Sequence, residues 1–207
     1  MKTNYKKHLS IYDIVQMVQY MVRDKEYSYA FLILIGCTLG YKIGIQLKMD
    51  WGCFVDEKGK AKDVITFEDS EPRTVTKFLK SFIEYIYIKL DKPELDKPAF
   101  INPANGKVMT TNSLNRDLRK LQIKYQSVVG MPYPLETDSF RRVFGLSVLE
   151  KWNFQQSAIG ALRKHFGHNS DKRTREFLMI PEKITISKVK DLYSSYDPHW
   201  RFEDIAF

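Results

Sequence analysis

Arg141 and Arg142 stand side by side, and further along the chain lies a Gly167-His168 pair; these are the residues best suited to chemistry. A guanidinium presents a planar fork of N–H donors that fits a phosphate, whereas a lone histidine such as His168 is more often structural than catalytic. Phe140, Val143, Phe144, Ser147 and Val148 recur at i, i+3, i+4 spacing and predict a helix with a core-facing stripe. Arg141 follows Phe140 directly and so falls at the edge of that stripe, where a half-buried guanidinium is aimed and needs an anion. The plain alternative for both arginines is a solvated outer face. From Arg163 to Arg175 the chain carries five Lys or Arg and two histidines against one acid, Asp171, and it runs on through Glu176 to Phe177. The chemistry this pattern points to is phosphate recognition.

The 207 residues suit one domain with a substantial core, and the net charge of +8 favours a polyanion, nucleic acid first, as partner. Cys37 and Cys53 lie in or beside apolar runs and read as buried free thiols of a reducing compartment. No C-x-x-C pattern is present, so neither a metal nor a cofactor is expected. The longest apolar run, Ala30 to Leu39, is too short to span a bilayer, and no apolar segment precedes a signal-type cleavage site. The expectation is a soluble cytoplasmic protein, nucleoid-associated when bound to DNA.

The elements that must position these residues follow from periodicity. After a basic tail, 1–8, Ser10 with Asp13 predicts a capped first helix to about Arg23, and Tyr27 to Thr38 a second helix, apolar nearly all round. Gly40 and Gly44 bracket a turn into a short helix that reaches Trp51. Phe54-Val55, Val64 to Phe67 and Arg73 to Val75, separated by turns at Glu57 to Lys60 and Glu68 to Glu71, predict a small three-stranded antiparallel sheet. A helix over Thr76 to Leu90, a Pro- and Asp-rich connection with Ala99 to Ile101 extended, and a helix capped by Thr111 or Asn112 and running to about Tyr125 come next. Gly130 to Pro134 breaks the pattern. The Arg141 helix, a short helix from Gln155 to Arg163, the Gly167-His168 segment, a helix from Lys183 to Tyr193 and an aromatic tail complete a mainly α chain. The expected division is a tail at 1–8, one domain at 9–182 and a C-terminal extension at 183–207.

Three blocks of this sequence, LILIGCTLGYKIGIQLKMDW, PLETDSFRRVFG and HFGHNSDKRTREF, resemble in order the motifs of the tyrosine recombinase, or phage integrase, catalytic domain. The resemblance covers roughly 9–180 and implies that family's fold, a helical domain with a three-stranded sheet that grips DNA in a C-shaped clamp. It also implies a chemistry in which a tyrosine oxygen attacks a DNA phosphorus while arginines, a lysine and histidines bind the phosphate oxygens and move protons.

Against that pattern the departures stand out. Lys42 occupies the first arginine position, keeping the charge and losing the fork. The hairpin turn that carries the family's lysine reads Glu68-Asp69-Ser70-Glu71, with Lys60 or Lys62 as substitutes only under a different hairpin register. Asp138 stands where His or Lys is usual, Arg141 and His168 match, and Phe177 stands at the tyrosine position. A phenyl ring has no oxygen with which to attack, so no covalent step can run through Phe177.

The resulting expectation is a non-catalytic DNA-binding protein, a regulator or repressor in a phage or mobile element. Its duplex phosphates would be met by Lys42, Arg116, Arg119, Lys120, Arg141, Arg142, Arg163, Lys164, His168, Lys172, Arg173 and Arg175. Base readout, if any, falls to the helix carrying Asn112, Asn115, Arg116 and Arg119. The aromatic tail (Tyr193, Tyr196, Trp200, Phe202, Phe207) either mediates self-association or folds back on its own domain. Two other readings stay open. One is an atypical recombinase using Tyr193 or Tyr196 as nucleophile; the other is a protein-interaction module with an incidental basic face.

Overall fold

A computed structural model describes residues 9–68, 70–129 and 135–180 of the chain. The expected C-terminal helix, the aromatic tail and the Gly130 to Pro134 break lie outside those residues. Helix α1 (Ile11–Arg23) is capped by Ser10, whose side chain accepts from Asp13 N while the Asp13 carboxylate accepts from Ser10 N at 2.8 Å. Its buried face, Ile14, Met17, Val18 and Met21, meets α2 (Tyr27–Leu39), in which ten of thirteen residues are buried. Such a helix is a spine, because no face of it can be left to water.

Around the spine pack α4 (Lys77–Lys89, capped by Thr76) and α6 (Thr137–Lys151), while α5 (Thr111–Val129) packs on α1 and α6. Between α2 and α4 lie the single turn α3 (Ile43–Gln46) and a 3-10 turn at Trp51–Cys53, held by the Asp50 side chain. The expected helix to Trp51 stops early because Asp50 bridges to Pro98 and Trp51 N donates to the Lys97 carbonyl. The Trp51 ring stacks on Phe31 at 4.8 Å, joining this loop to the spine.

Among the described residues the sheet has two strands, and a third is not seen. Val64–Ile65 (β1) pairs antiparallel with Arg73–Thr74 (β2) in the register Val64↔Thr74 and Ile65↔Arg73. The Phe54-Val55 segment contributes only an isolated bridge from Val55 to Ala61. The reason is local: Asp56 N donates to the Lys60 carbonyl and Lys62 N to the Phe54 carbonyl, but the Asp56 carboxylate takes Lys58 N and Lys60 N and the Trp51 carbonyl takes Val55 N, so the pairing stops at one bridge.

Three other boundaries move. The first turn of α5 is closed by Thr110 and Ser113, each accepting from the other's backbone N–H at 3.3 and 3.2 Å, not by Thr111 or Asn112. Helix α7 runs Gln156–Phe166, a turn beyond Arg163, and ends at Gly167 in the left-handed region. The basic segment after His168 is itself a helix, α8 (Asp171–Leu178), capped by Ser170. Cys37 is buried as expected, but Cys53 is only half-buried, with Sγ 3.3 Å from Asp50 Oδ1.

Helix α6 joins two cores. Phe140 and Val143 belong to the large one around α2, whereas Leu146 and Leu149 pack with Ala158, Ile159, Leu162 and Phe166 of α7 and Leu178 of α8. Its fully buried line is therefore Phe140, Val143, Leu146 and Leu149; Phe144, Ser147 and Val148 of the expected stripe are half-buried. At Gly36 the α2 backbone comes so close to α6 that an added Cβ would lie 2.6 Å from Phe140 Cδ2. Arg141 lies at the seam of the two cores.

Candidate phosphate-binding site

The seam position gives Arg141 two kinds of neighbour. Its Nη2 donates to the Phe166 carbonyl at 3.1 Å, the last residue of α7, where a cation complements the exposed carbonyl end of a helix. Its Cζ lies 4.5 Å from the centre of the Phe166 ring and 5.4 Å from that of Phe177. The buried Nε finds no partner. Burial lowers the guanidinium pKa from its usual value, with the Asp138 charge opposing. A cation stripped of water in this way gains from an arriving anion.

Arg142 repeats the arrangement on α8. Its Nε donates to the Phe177 carbonyl at 3.1 Å, its Cζ lies 5.5 Å from the Phe177 ring, and its Nη2 is 4.0 Å from Asp138 Oδ2. Phe177 thus stands where the resemblance expects a nucleophile, and its ring lies under two guanidiniums. His168 is beside it, 5.4 Å between ring centres, with Nδ1 3.1 Å from Thr174 Oγ1. Thr174 donates its hydroxyl proton to the Ser170 carbonyl at 3.3 Å, so its oxygen accepts from an Nδ1–H and Nε2 carries the lone pair. Burial, then the charges of Arg141, Arg173 and Lys42, pushes the His168 pKa down.

A second histidine belongs to the same cluster. His165 stacks on Phe144 at 4.5 Å and 23°. Its pKa falls to about 4 through burial and then the charges of Arg73 and Arg141, opposed by the Gly40 backbone and Glu71. Its Nε2 makes no aligned hydrogen bond. Gly40, the left-handed cap of α2 at φ +68°, lets the turn carrying Tyr41 and Lys42 approach so closely that an added Cβ would be 2.9 Å from that Nε2. Lys42 itself is exposed at the start of α3.

Other expected residues are spread more widely or already engaged. Arg163 Nε is 3.3 Å from Asp171 Oδ1, and Gln156 bridges Asp171 Oδ2 (2.9 Å) to Arg175, so this network ties α7 to α8. Arg173 lies 3.8 Å from Glu176, while Lys164 and Lys172 are exposed. Arg116, Arg119 and Lys120 are exposed on α5, a separate element. Lys124 of that helix pairs with Asp24 and Glu26 at 3.2 and 3.1 Å. Asn115 Oδ1 accepts from Thr137 N at 3.2 Å, holding the start of α6. The hairpin lysines are turned to other partners, Lys60 to Glu84 at 3.3 Å and Lys62 to the Gly52 carbonyl. In the acidic turn, Glu68 pairs with Lys48 at 3.8 Å and Glu71 with Arg73 at 3.3 Å.

Two residues of the cluster, Arg73 and His165, were not singled out by sequence reasoning, although each left a signal. Arg73 precedes Val75 by two and so shares its inward face on a strand. His165 continues the Ala158, Ile159, Leu162 stripe at i+3 from Leu162.

The described fold is shared with recombinases and integrases. The solved XerA recombinase superposes with a TM-score of 0.65 at 15% identity, over 97% of this chain and 66% of that protein. The Tn1549 transposon integrase, in complex with transposon right-end DNA, gives a TM-score of 0.58 at 16% identity over 92% of this chain and 66% of that one. The XerH site-specific recombinase bound to its difH substrate gives 0.56 at 13%, over 92% and 54%. The chain therefore spans about two thirds or less of the proteins it superposes on. At these identities the likeness is one of fold. No protein-family model matches the chain, and no curated protein matches it by sequence. Among the described residues no helix is long and apolar enough to cross a membrane, and no cluster of metal-ligating side chains occurs.

Proposed function

We propose that this chain is a DNA-binding protein that holds duplex phosphates with the cationic cluster around Arg141 and does not cut them, serving as a regulator or repressor in a phage or mobile element. One observation carries the reading: Arg141 is half-buried with an unpartnered Nε over the ring of Phe177, which the resemblance would place at the nucleophile position and which has no oxygen. The guanidinium and the neighbouring Lys42 and Arg173 would bind non-bridging phosphate oxygens. Exposed Arg116, Arg119 and Lys120 of α5 would extend the contact along the backbone. The recombination context of the structural neighbours, two of them solved with DNA, supports the assignment of partner.

Binding of this kind releases counterions, so affinity falls steeply with salt. With five to six phosphate contacts, the slope of log K against log salt is about −5. Fluorescence anisotropy of a labelled duplex across salt concentrations tests the proposal, using wild type and Arg141→Met, which keeps the apolar stem. The variant should bind about tenfold more weakly, with a slope shallower by about one. Absence of binding at low salt, or an unchanged Arg141→Met, would overturn the proposal.

A further inference from the structure

We propose that Arg73, rather than Lys42, supplies the second guanidinium of the phosphate site, and that Glu71 occupies its fork until a phosphate displaces it; the inference rests on the DNA-binding reading above. The β1–β2 register pairs Arg73 with Ile65, and residues directly opposite in an antiparallel pair share a face. Ile65 is fully buried, so Arg73 is turned inward, its side chain 14% exposed. There its Cζ lies 5.3 Å from the centre of the Tyr41 ring. Tyr41 follows Gly40, whose backbone abuts His165 and Phe144. Arg73 from the sheet, through Tyr41 and the Gly40 turn, and Arg141 from α6, through Phe166, thus lie on different elements about His165, whose pKa both charges lower.

Both guanidiniums keep a buried Nε with no partner. A buried donor left unpaired is costly, so two of them in one cluster call for an acceptor from outside. Among the described residues the ion pair of Arg73 is with Glu71, Nη1 to Oε2 at 3.3 Å, and that carboxylate is 70% exposed. A carboxylate that is 70% exposed and meets the fork through Nη1 alone leaves the rest of the fork open, so a duplex phosphate, whose two non-bridging oxygens arrive within a dense array of like charges, can take its place. Glu68, its neighbour in the acidic turn, pairs with Lys48 instead. Lys42 offers a lone ammonium at an exposed position and cannot make the forked contact.

Duplex binding and inorganic phosphate titration together test the inference, the latter read on the histidine ring NMR signals. Glu71→Gln should tighten duplex binding about three- to tenfold, whereas Glu68→Gln, with the same change of net charge, should change it less than about twofold. Arg73→Lys, which preserves charge and fold, should weaken it about tenfold. Equal effects of Glu71→Gln and Glu68→Gln, or wild-type binding by Arg73→Lys, would overturn the inference while leaving the DNA-binding reading intact. If wild type binds no duplex, that reading fails, and phosphate decides the inference separately. Saturable shifts of the His165 signals in wild type that disappear in Arg73→Lys uphold it, and their absence in wild type sinks it.

Discussion

Replacing Gly40 by alanine should damage the protein through a cause visible in the geometry of a single turn. Gly40 ends α2 at φ +68°, and a Cβ there would lie 2.5 Å from Phe144 Cδ1 and 2.9 Å from His165 Nε2. The left-handed conformation alone costs a non-glycine residue about 1–2 kcal/mol. Forcing Phe144 and His165 aside adds about 1–3 kcal/mol of overpacking. The sum, about 2–5 kcal/mol, corresponds to a fall in melting temperature of roughly 5–15 °C for a chain of this size. Two controls separate the terms. Gly167 shares the φ of +68° but has open space around its missing Cβ, so Gly167→Ala should cost only about 1–2 kcal/mol. Gly160, inside α7 with nothing nearby, should gain about 0.5–1 kcal/mol on becoming alanine. Urea titration followed by the fluorescence of buried Trp51 gives all three midpoints. Because Gly40 precedes Tyr41 and Lys42, DNA affinity of Gly40→Ala should also fall below that of wild type where both are folded. A loss no larger than that of Gly167→Ala would refute the close approach of this turn to α6 and α7.

Two other perturbations bear on the same cluster. In the unfolded chain His165 titrates near its usual value of about 6.5, and in the fold it titrates at about 4, so below about pH 6.5 the unfolded state binds a proton that the folded state refuses. Stability is therefore lost as pH falls through that window and levels off below about 4, by roughly 1–2 kcal/mol once the partial exposure of the ring is allowed for. Arg73 and Arg141 deepen this loss while Glu71 and the Gly40 backbone reduce it. His165→Leu should flatten the pH profile of the urea midpoint between pH 4 and 6.5, and an unchanged profile would contradict the neutral ring. Thr174→Val, nearly isosteric at a fully buried site, removes the Nδ1 partner of His168 and should cost about 1–2 kcal/mol in the same assay. Loss of the His168–Thr174 link should also shift the ring signals of His168 but not those of His165.

Much of this arrangement is legible in the sequence where local pattern and packing agree. Ser10 with Asp13 announces α1, the unbroken apolar run of α2 announces a spine, and Arg141 at the edge of its stripe is half-buried as the spacing implies. The failures have physical causes. A strand at Phe54-Val55 fits the apolar pattern, but the Asp56 carboxylate claims Lys60 N and the Trp51 carbonyl claims Val55 N, so the pairing ends at one bridge. Helix α8 carries so few apolar residues that periodicity does not reveal it, and what fixes it is Ser170 at its start with Thr174 and Leu178 buried against α6 and α7. Base-reading candidates on α5 cannot be sorted from sequence, because only the fold reveals that Asn115 is committed to α6. Arg73 escaped notice for a related reason. The spacing to Val75 is a weak inward signal in so short a strand, and the register that sets Arg73 opposite buried Ile65 is what establishes it.

The central claim is binding without cleavage, and a nicked duplex that traps covalent intermediates tests it most directly. Wild type and Phe177→Tyr would be incubated with such duplexes, drawn from the element encoding the protein, at low and high salt. Both DNA retention and protein–DNA adducts would be scored. The account predicts salt-sensitive retention by both proteins and an adduct with neither, since on the proposed resemblance Lys42 would stand at the first arginine position and the turn at Glu68 to Glu71 at that of the hairpin lysine. A wild-type adduct mapping to any tyrosine, Tyr193 or Tyr196 included, would contradict it and make the protein an enzyme.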